Sequence, residues 1–255
     1  MMRVVITRSE NNTKTLCEKI NALGGSLISF PVIEFYPTRQ QALLKQTIEQ
    51  LNTTKIAIFV SQNAVHFTLP PIQQYWKTLP PIQWAAIGPA TEKTLQDHGI
   101  KTIITALNPP YESESLLAVP ELQAPQIADQ SIVIFRGNGG RDTLNQVLTH
   151  RGAIVHWVES YERRLPAIAK TEIVKKLNKW RKAPIDVLVI TSAESLKHFL
   201  MLVGSEIEWL KEIPTIVVGL RMHKLANKLQ FKKAFMAMGA DDASILEVVT
   251  QLKGW

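Results

Sequence analysis

Short, almost wholly apolar runs of four to seven residues recur along the chain, and stretches with helical spacing separate them. Such runs are typical of strands that are buried on both faces. The first helical stretch, TKTLCEKINALGG, closes on Gly24, a common helix stop. This alternation predicts parallel sheets covered by helices, an α/β fold. The runs are RVVIT near the start, KIAIFV at 55–60, WAAIG at 84–88, KTIIT at 101–105, SIVIF at 131–135, GAIVHWV at 152–158, DVLVIT at 186–191 and PTIVVG at 214–219.

Length and composition indicate a globular protein without choosing between one large domain and two smaller ones. The chain has 255 residues, of which 45% are hydrophobic and 20% are charged. Charges at Arg3, Arg8 and Glu10 leave no apolar run for a signal peptide or a membrane helix, so we expect a cytoplasmic protein. Cys17 is the single cysteine, which excludes an internal disulfide, and no Cys/His cluster has the spacing of a zinc site.

The net charge of +7 favours an anionic partner, which could be a nucleic acid, an acidic membrane or a polycarboxylated small molecule. Nucleic-acid binders usually concentrate their basic residues in a stripe, whereas here these residues are dispersed. The densest cluster has helical spacing, which predicts a solvated helix face. It consists of Lys175, Lys176, Lys179, Arg181 and Lys182.

Two parts of the chain share one plan. The segment that begins at Val4 aligns with the segment that begins at Ile132 by a constant shift of 128 positions. That shift pairs Ile6 with Ile134, Arg8 with Arg136, Thr15 with Thr143, Leu16 with Leu144 and Gly24 with Gly152. A shift of 131 positions pairs Ser61 with Ser192 and Gly88 with Gly219. Any two strand–helix pairs look somewhat alike, but the shared Arg and Ser residues, and the pair Gly88 and Gly219, fall where strands end, which favours a duplication.

Strand ends matter because ligands of open α/β sheets bind beyond the carboxyl ends of the strands. Helix N-termini at that edge present unpaired N–H groups and a positive dipole end, which suit carboxylates. Two such edges that face each other would form a cleft for an anion.

A series of motifs, in order along the chain, resembles the uroporphyrinogen-III synthase family from about Val4 to about Val249. No single motif is specific, and the resemblance depends on their ordered sum. The motifs are ITR after the first strand, PVIEF, FVSQNAV, AIGPATEKTL, the GxGGRDxL element, VESYER, ITSAES and VVGLR.

The resemblance implies two similar α/β domains with parallel sheets, joined by a two-stranded antiparallel linker, with the active site in the cleft between the domains. The first domain would hold residues 1–34 and 165–255, and the second would hold residues 39–159. The linker strands would be residues 33–38 and 160–165.

The resemblance also implies a reaction. Members of the family take hydroxymethylbilane, remove its terminal hydroxyl as water, invert the last pyrrole ring and close the macrocycle without a cofactor or a metal. Tyr161 aligns with the tyrosine that the family is thought to use near the departing hydroxyl, and we expect it to be the catalytic acid. A ring that only packs at a strand edge is the alternative.

The substrate carries eight carboxylates, so hydroxyls, arginines and backbone N–H groups at strand ends are the expected contacts. Helix capping is the alternative for the hydroxyls, and an ion pair within the protein is the alternative for each arginine. The predicted substrate contacts are Arg8, Ser61, Thr91, Ser113, Ser115, Arg136, Gly137, Arg141, Ser192, Gly219 and Arg221.

One departure concerns Met222, which stands where some relatives have a hydroxyl, so we expect no hydroxyl contact from this position. The loop RGNGGR matches neither a Walker motif nor GxGxxG, which argues against a nucleotide. The competing interpretation is a non-catalytic two-lobed protein that binds an anion. For the enzyme we expect a monomer that binds neither nucleic acid nor membrane, and we expect a transient handover of its substrate from hydroxymethylbilane synthase.

Overall fold

A computed structural model describes residues 1–8, 13–109 and 111–253. The chain divides into two compact units. Unit 1 consists of Met1–Glu34 and Arg164–Trp255, and unit 2 consists of Phe35–Arg163, so the chain crosses between the units twice. Each unit contains a largely parallel sheet with helices, which confirms the predicted α/β class.

The strands, numbered along the chain, are β1 (Arg3–Ile6), β2 (Ser26–Ser29), β3 (Glu34–Pro37), β4 (Ile56–Phe59), β5 (Gln83–Ala86), β6 (Ile103–Ile104), β7 (Ser131–Gly137), β8 (Ile154–Arg164), β9 (Val187–Ile190), β10 (Thr215–Val218) and β11 (Ala234–Ala237). The helices are α1 (Lys14–Ala22), α2 (Gln41–Glu49), α3 (Gln62–Tyr75), α4 (Pro89–Asp97), α5 (Ser113–Leu117), α6 (Ala124–Ile127), α7 (Thr143–His150), α8 (Lys170–Lys182), α9 (Ala193–Val203), α10 (Ile207–Leu210), α11 (Gly219–Lys228) and α12 (Asp242–Lys253). None of these described helices is long and apolar enough to cross a bilayer.

The sheet of unit 1 has the order β11-β10-β9-β1-β2, and every neighbouring pair is parallel. Successive strand residues point to opposite faces, so Val5 and Leu188 belong to one buried cluster and Val4 and Val187 belong to the other. Buried residues of α8, α9 and α11 cover the first face, and those of α1 and α12 cover the second. Both faces are therefore closed, as the apolar runs predict.

The basic cluster of the sequence lies on α8. This helix buries Ile173, Leu177 and Trp180, while its lysines and arginine are exposed or half-buried. The solvated face predicted for these basic residues is confirmed.

The sheet of unit 2 has the order β3-β8-β7-β4-β5-β6, and the strands from β8 to β6 run parallel. Val133 and Phe135 of β7 face a cluster with α2, α3 and α4, whereas Ile132 and Ile134 face a cluster with α5 and α7. Each fully buried side chain of this size contributes about 1.5–3 kcal/mol relative to an exposed one. The core therefore fixes which residues of β7 and β8 point to each face.

The duplicated plan is visible in the strand order of both units. In unit 1, β1 lies between β2 and β9, and in unit 2, β7 lies between β8 and β4. The helices that follow β1 and β7 end in the same way, because Gly24 and Gly152 have φ of +73° and +88°. Their N–H groups donate to Asn21 and Thr149, which are also 128 positions apart. Glycine is favoured at such left-handed helix ends because it has no Cβ.

Residues 160–164, which fall in the second linker segment that the resemblance implies, form the last part of β8. This strand runs from Ile154 to Arg164 and contains no glycine or proline. β3 lies beside β8, and the N–H group of Thr38 donates to the carbonyl of Ser160 at 3.3 Å.

Candidate active site

Unit 2 contains a cavity of about 480 Å³ where β4 and β7 end. Half-buried and exposed polar side chains line its wall together with apolar ones, and the Tyr161 ring lies against it. Predicted site residues that line it are Ser61, Ser113, Arg136, Gly137, Arg141 and Tyr161. Lining residues that the sequence did not single out include Tyr111, Glu112, Trp157 and Arg163. Parallel strand ends thus bring together residues from four distant segments, as expected for this class of sheet.

Tyr161 is buried and its hydroxyl oxygen lies 3.1 Å from Oγ of Ser61. Ser61 is the N-cap of α3, where its Oγ accepts a hydrogen bond from the N–H of Ala64 at 3.1 Å. Either hydroxyl can donate in this contact, and in one arrangement Ser61, which accepts from Ala64, donates its own proton to the phenol oxygen. In that arrangement the phenol proton is left to donate into the cavity.

Ser192 occupies the equivalent position in unit 1. It is the N-cap of α9 and accepts from the N–H of Ser195 at 3.0 Å, but its hydroxyl bonds to the Ser195 hydroxyl at 2.8 Å. The capping role of both serines is therefore confirmed. Of the two, Ser61 is the one that contacts a tyrosine.

Removing either cap should destabilise the protein to a similar degree. We expect Ser61→Ala and Ser192→Ala each to lower the free energy of unfolding by about 1 kcal/mol, because each leaves a helix N–H group without its acceptor. Denaturant unfolding followed by circular dichroism measures this. Ser205→Ala, at an exposed serine, is the control and should stay within about 0.5 kcal/mol of the parent. A loss at Ser205 as large as at the caps would contradict the assignment.

Three arginines and one glutamate line the cavity, so its wall carries an excess of positive charge. Arg136 donates to the carbonyl of Gly139, and its guanidinium lies 5.4 Å from the centre of the Trp157 ring. Arg141 is exposed and forms an ion pair with Glu112 at 3.2 Å. Ion pairs as exposed as this one contribute little to stability, so Glu112 can be exchanged for a carboxylate of a ligand.

Arg163 and Asn138 tie the end of β8 to the loop after β7. The N–H of Arg163 donates to Oδ1 of Asn138 at 2.7 Å, and its Nη2 donates to the Asn138 carbonyl at 3.1 Å. The N–H of Asn138 in turn donates to the carbonyl of Tyr161 at 3.0 Å. A sequence signal for Arg163 exists, because it follows Tyr161 by two positions in a strand and such residues share a face.

Among the described residues of unit 1, the predicted contact Arg8 is held by partners within the protein. Arg8, after β1, lies with Nη1 3.5 Å from Oδ1 of Asp242 and also donates to the carbonyl of Ala240. Burial lowers the pKa of the Arg8 guanidinium, and the carboxylates of Asp242 and Asp241 oppose this effect. Arg8 therefore links the end of β1 to α12, and a substrate carboxylate would have to compete with these partners.

The other predicted contacts occupy separate places. Gly219 and Arg221 lie in the first turn of α11, where Arg221 is exposed. Thr91 is buried in the first turn of α4, and Ser115 is half-buried in α5; neither lines the cavity beside Tyr161. Met222 is buried in the apolar core of unit 1. Its side chain therefore supplies no polar contact in place of a hydroxyl.

Comparison with known proteins gives one consistent result. Residues 14–247 match the family model for uroporphyrinogen-III synthase HemD. The uroporphyrinogen-III synthase of Escherichia coli is 30% identical over 253 residues, which cover 97% of this chain and 100% of that protein. The synthase of Salmonella typhimurium is 31% identical with the same coverage.

Among solved structures, uroporphyrinogen-III synthetase from Helicobacter pylori superimposes with a TM-score of 0.61. The alignment covers 99% of this chain and 100% of that one at 20% identity, which supports the fold. A family model that matches most of the sequence, together with relatives that align from end to end, shows that the chain belongs to the uroporphyrinogen-III synthase family.

Proposed function

We propose that the protein converts hydroxymethylbilane to uroporphyrinogen III, with loss of water and inversion of the last pyrrole ring. Membership of the synthase family supports the reaction. The observation that carries the site is the Tyr161 hydroxyl, which lies 3.1 Å from the capping Ser61 at the wall of an arginine-lined cavity. A proton donor and cationic side chains beside one cavity suit a polycarboxylate that must lose a hydroxyl group.

Tyr161 acts in this proposal as the acid. A phenol carries its proton at neutral pH and can donate it as the carbon–oxygen bond of the substrate breaks and water departs. The product of that step is an azafulvene cation, which the electron-rich last pyrrole attacks. The substituted ring carbon of that pyrrole forms the new bond to the methylene carbon of the cation. Its older bond to the neighbouring methylene bridge then breaks, and the bridge carbon bonds to the free ring carbon of the same pyrrole, which inverts the ring. That last ring carbon loses its proton, which restores the phenol.

The position of Tyr161 next to α3 stabilises the charge that proton donation leaves behind. Ser61 caps α3, a helix of 14 residues whose N-terminus carries the positive end of the helix dipole. When Ser61 donates to the phenol oxygen, this hydrogen bond and the positive end of the helix dipole both stabilise negative charge on that oxygen. Both are in place before the substrate arrives, which is the condition for an effective electrostatic contribution.

Arg136, Arg141 and Arg163 hold substrate carboxylates in this proposal. A cavity of about 480 Å³ lies at the lower end of the range for ligand sites and accommodates only part of a tetrapyrrole. We assign to it the end of the bilane that carries the departing hydroxyl. Thr91, Ser115, Ser192, Gly219 and Arg221 remain predicted contacts for other parts of the substrate, and Arg8 remains one despite its ion pair.

The finer statements about partners are also part of the proposal. The protein would act as a cytoplasmic monomer and take the bilane from hydroxymethylbilane synthase. This route is favoured because the bilane closes spontaneously without inversion when it is free in solution, so a short transfer preserves it for the III isomer.

The function is tested by incubating the protein with enzymatically generated hydroxymethylbilane and separating the I and III isomers of the product. The proposed synthase yields mainly isomer III, whereas spontaneous closure yields isomer I. A non-catalytic protein that binds an anion, the alternative that the comparisons do not favour, would bind the product yet leave isomer I as the outcome.

A further inference from the structure

Gly137 interrupts an apolar row on β7. Residues 133, 135 and 137 point to the same face, where Val133 and Phe135 are buried in the cluster that also contains Tyr161. At the third position there is no side chain, and the Tyr161 ring occupies the space. A Cβ at Gly137 would lie 2.6 Å from Cζ, 2.7 Å from Cε2 and 2.9 Å from the hydroxyl oxygen of Tyr161.

These distances are too short for a side chain of any kind. Carbon atoms in contact prefer about 3.5–4.0 Å, so an alanine at this position would push the ring away by about 1 Å. The three atoms involved are the reacting end of Tyr161, including its hydroxyl. The hydroxyl can stand where it does only because position 137 is a glycine.

A bulge in the sheet brings the two residues opposite each other. Along the β7/β8 ladder Arg136 pairs with Glu159, but Gly137 pairs with Tyr161, so Ser160 is an extra residue on β8. Ser160 is buried, and its Oγ accepts from the hydroxyl of Thr68 at 2.6 Å. Bulges of this kind redirect side chains next to functional sites, and here Ser160 and Tyr161 are both buried in succession.

The Tyr161 ring has little room to retreat. The ring of Phe67 is stacked near it with centroids 5.8 Å apart, and the ring of Phe35 meets it edge-on at 5.7 Å. The hydroxyl of Ser61 lies 3.1 Å from that of Tyr161, so the side of the ring left open is the cavity. A displacement forced by a Cβ at Gly137 would therefore change the hydroxyl position.

We propose that Gly137 is the positioning residue for Tyr161: it sets the place of the phenol hydroxyl and does not itself contact the bilane. This inference rests on the proposed synthase function. It gives Gly137 a different role from that of a substrate contact. The two roles make different predictions when Tyr161 is also changed.

The test compares kcat, KM and the isomer ratio in Gly137→Ala, Tyr161→Phe and the double variant. Gly137→Ala should lower kcat at least about tenfold with little change in KM, because a misplacement of about 1 Å can cost that much or more. It should also raise the share of isomer I. In the Tyr161→Phe background the same change should lower kcat less than about twofold, because no hydroxyl is left to misplace.

A second readout follows the ring without relying on turnover. The chain has four tyrosines, so labelling with tyrosine that carries carbon-13 at Cζ gives a spectrum simple enough to assign Tyr161 by its loss in Tyr161→Phe. Gly137→Ala should shift that resonance. Gly25→Ala is the matched control, since its Cβ would lie 2.9 Å from Cγ2 of Ile20 in unit 1. This control should lower the melting temperature but leave kcat, the isomer ratio and the Tyr161 resonance unchanged.

The outcomes separate this inference from the proposed function. Turnover of Gly137→Ala equal to that of the parent, or an equally large loss in the Tyr161→Phe background, would overturn the positioning role while the synthase function stands. If the parent protein yields no isomer III, the proposed function is overturned. If, in addition, Gly137→Ala does not shift the Tyr161 resonance, the contact between Gly137 and Tyr161 is overturned as well. If Gly137→Ala does not fold, the double variant Gly137→Ala/Tyr161→Leu should still fold, because leucine has no counterpart to Cζ, Cε2 and the hydroxyl oxygen of Tyr161. Failure of that pair, with Tyr161→Leu folded, would contradict the proposal.

Discussion

Tyr161→Phe is expected to slow the turnover of hydroxymethylbilane about a hundredfold, because general acid assistance contributes at least that much in typical enzymes. This corresponds to about 2.7 kcal/mol of the barrier. The substitution keeps the aromatic ring and its contacts with Phe35 and Phe67, so the fold should be unchanged. Bilane that the slower variant releases unconverted closes spontaneously without inversion. Isomer I should therefore accumulate. Rapid mixing with separation of the two isomers measures both effects.

Tyr75→Phe is the control for loss of a tyrosine hydroxyl. Tyr75 is 53% exposed at the end of α3, and its ring lies against Trp76 and outside the cavity. Its loss should leave turnover and isomer ratio as they are. Unchanged turnover and isomer ratio in Tyr161→Phe would reduce Tyr161 to a packing residue and leave arginines, backbone and shape as the catalytic elements.

Arg136→Gln and Arg141→Gln should each raise the KM for the bilane about tenfold, because each removes a charge-assisted hydrogen bond worth roughly 1.5 kcal/mol or more. The double variant distinguishes two arrangements. The effects should multiply to about a hundredfold if the guanidiniums hold different carboxylates, and they should not multiply if both hold the same one. Steady-state kinetics with quantified bilane measures these values.

Salt and a charge-matched variant serve as controls for the arginines. Exposed charges are screened beyond about 8 Å at physiological ionic strength, so the KM of the parent should rise with salt and that of the double variant should rise less. Lys101→Gln removes one positive charge from an exposed position of unit 2 outside the cavity and should leave KM nearly unchanged. An equal effect of Lys101→Gln would mean that net charge, rather than the arginine site, controls binding.

Much of the fold follows from local sequence signals. The apolar runs predict most strands because both faces of each sheet carry a buried cluster. The run in β8 is an exception to full burial, because Ile154 and Trp157 are exposed. The strand β11 is not predicted from its own residues, because its sequence AFMA has no β-branched residue. Its pairing with β10 defines it as a strand. The equivalent helix ends at Gly24 and Gly152 are predictable, because a left-handed residue favours glycine.

The site is only partly readable from the sequence. Serines that follow strands and precede helices indicate caps, and Ser61 and Ser192 are caps in the structure. An arginine after a strand carries no sign of its partner, and the ion pair of Arg8 with Asp242 depends on a helix more than two hundred residues away. The contact of Gly137 with Tyr161 depends on the register of β7 and β8 and on one extra residue, which no periodicity predicts.

A titration of the protein against a fixed supply of hydroxymethylbilane tests the central claim most directly. In the absence of the protein the product is isomer I, formed by spontaneous closure. We predict that the share of isomer III rises with protein concentration until it replaces isomer I, and that Tyr161→Phe needs far more protein to reach the same share. A product that remains isomer I at every concentration of the parent protein would contradict the account.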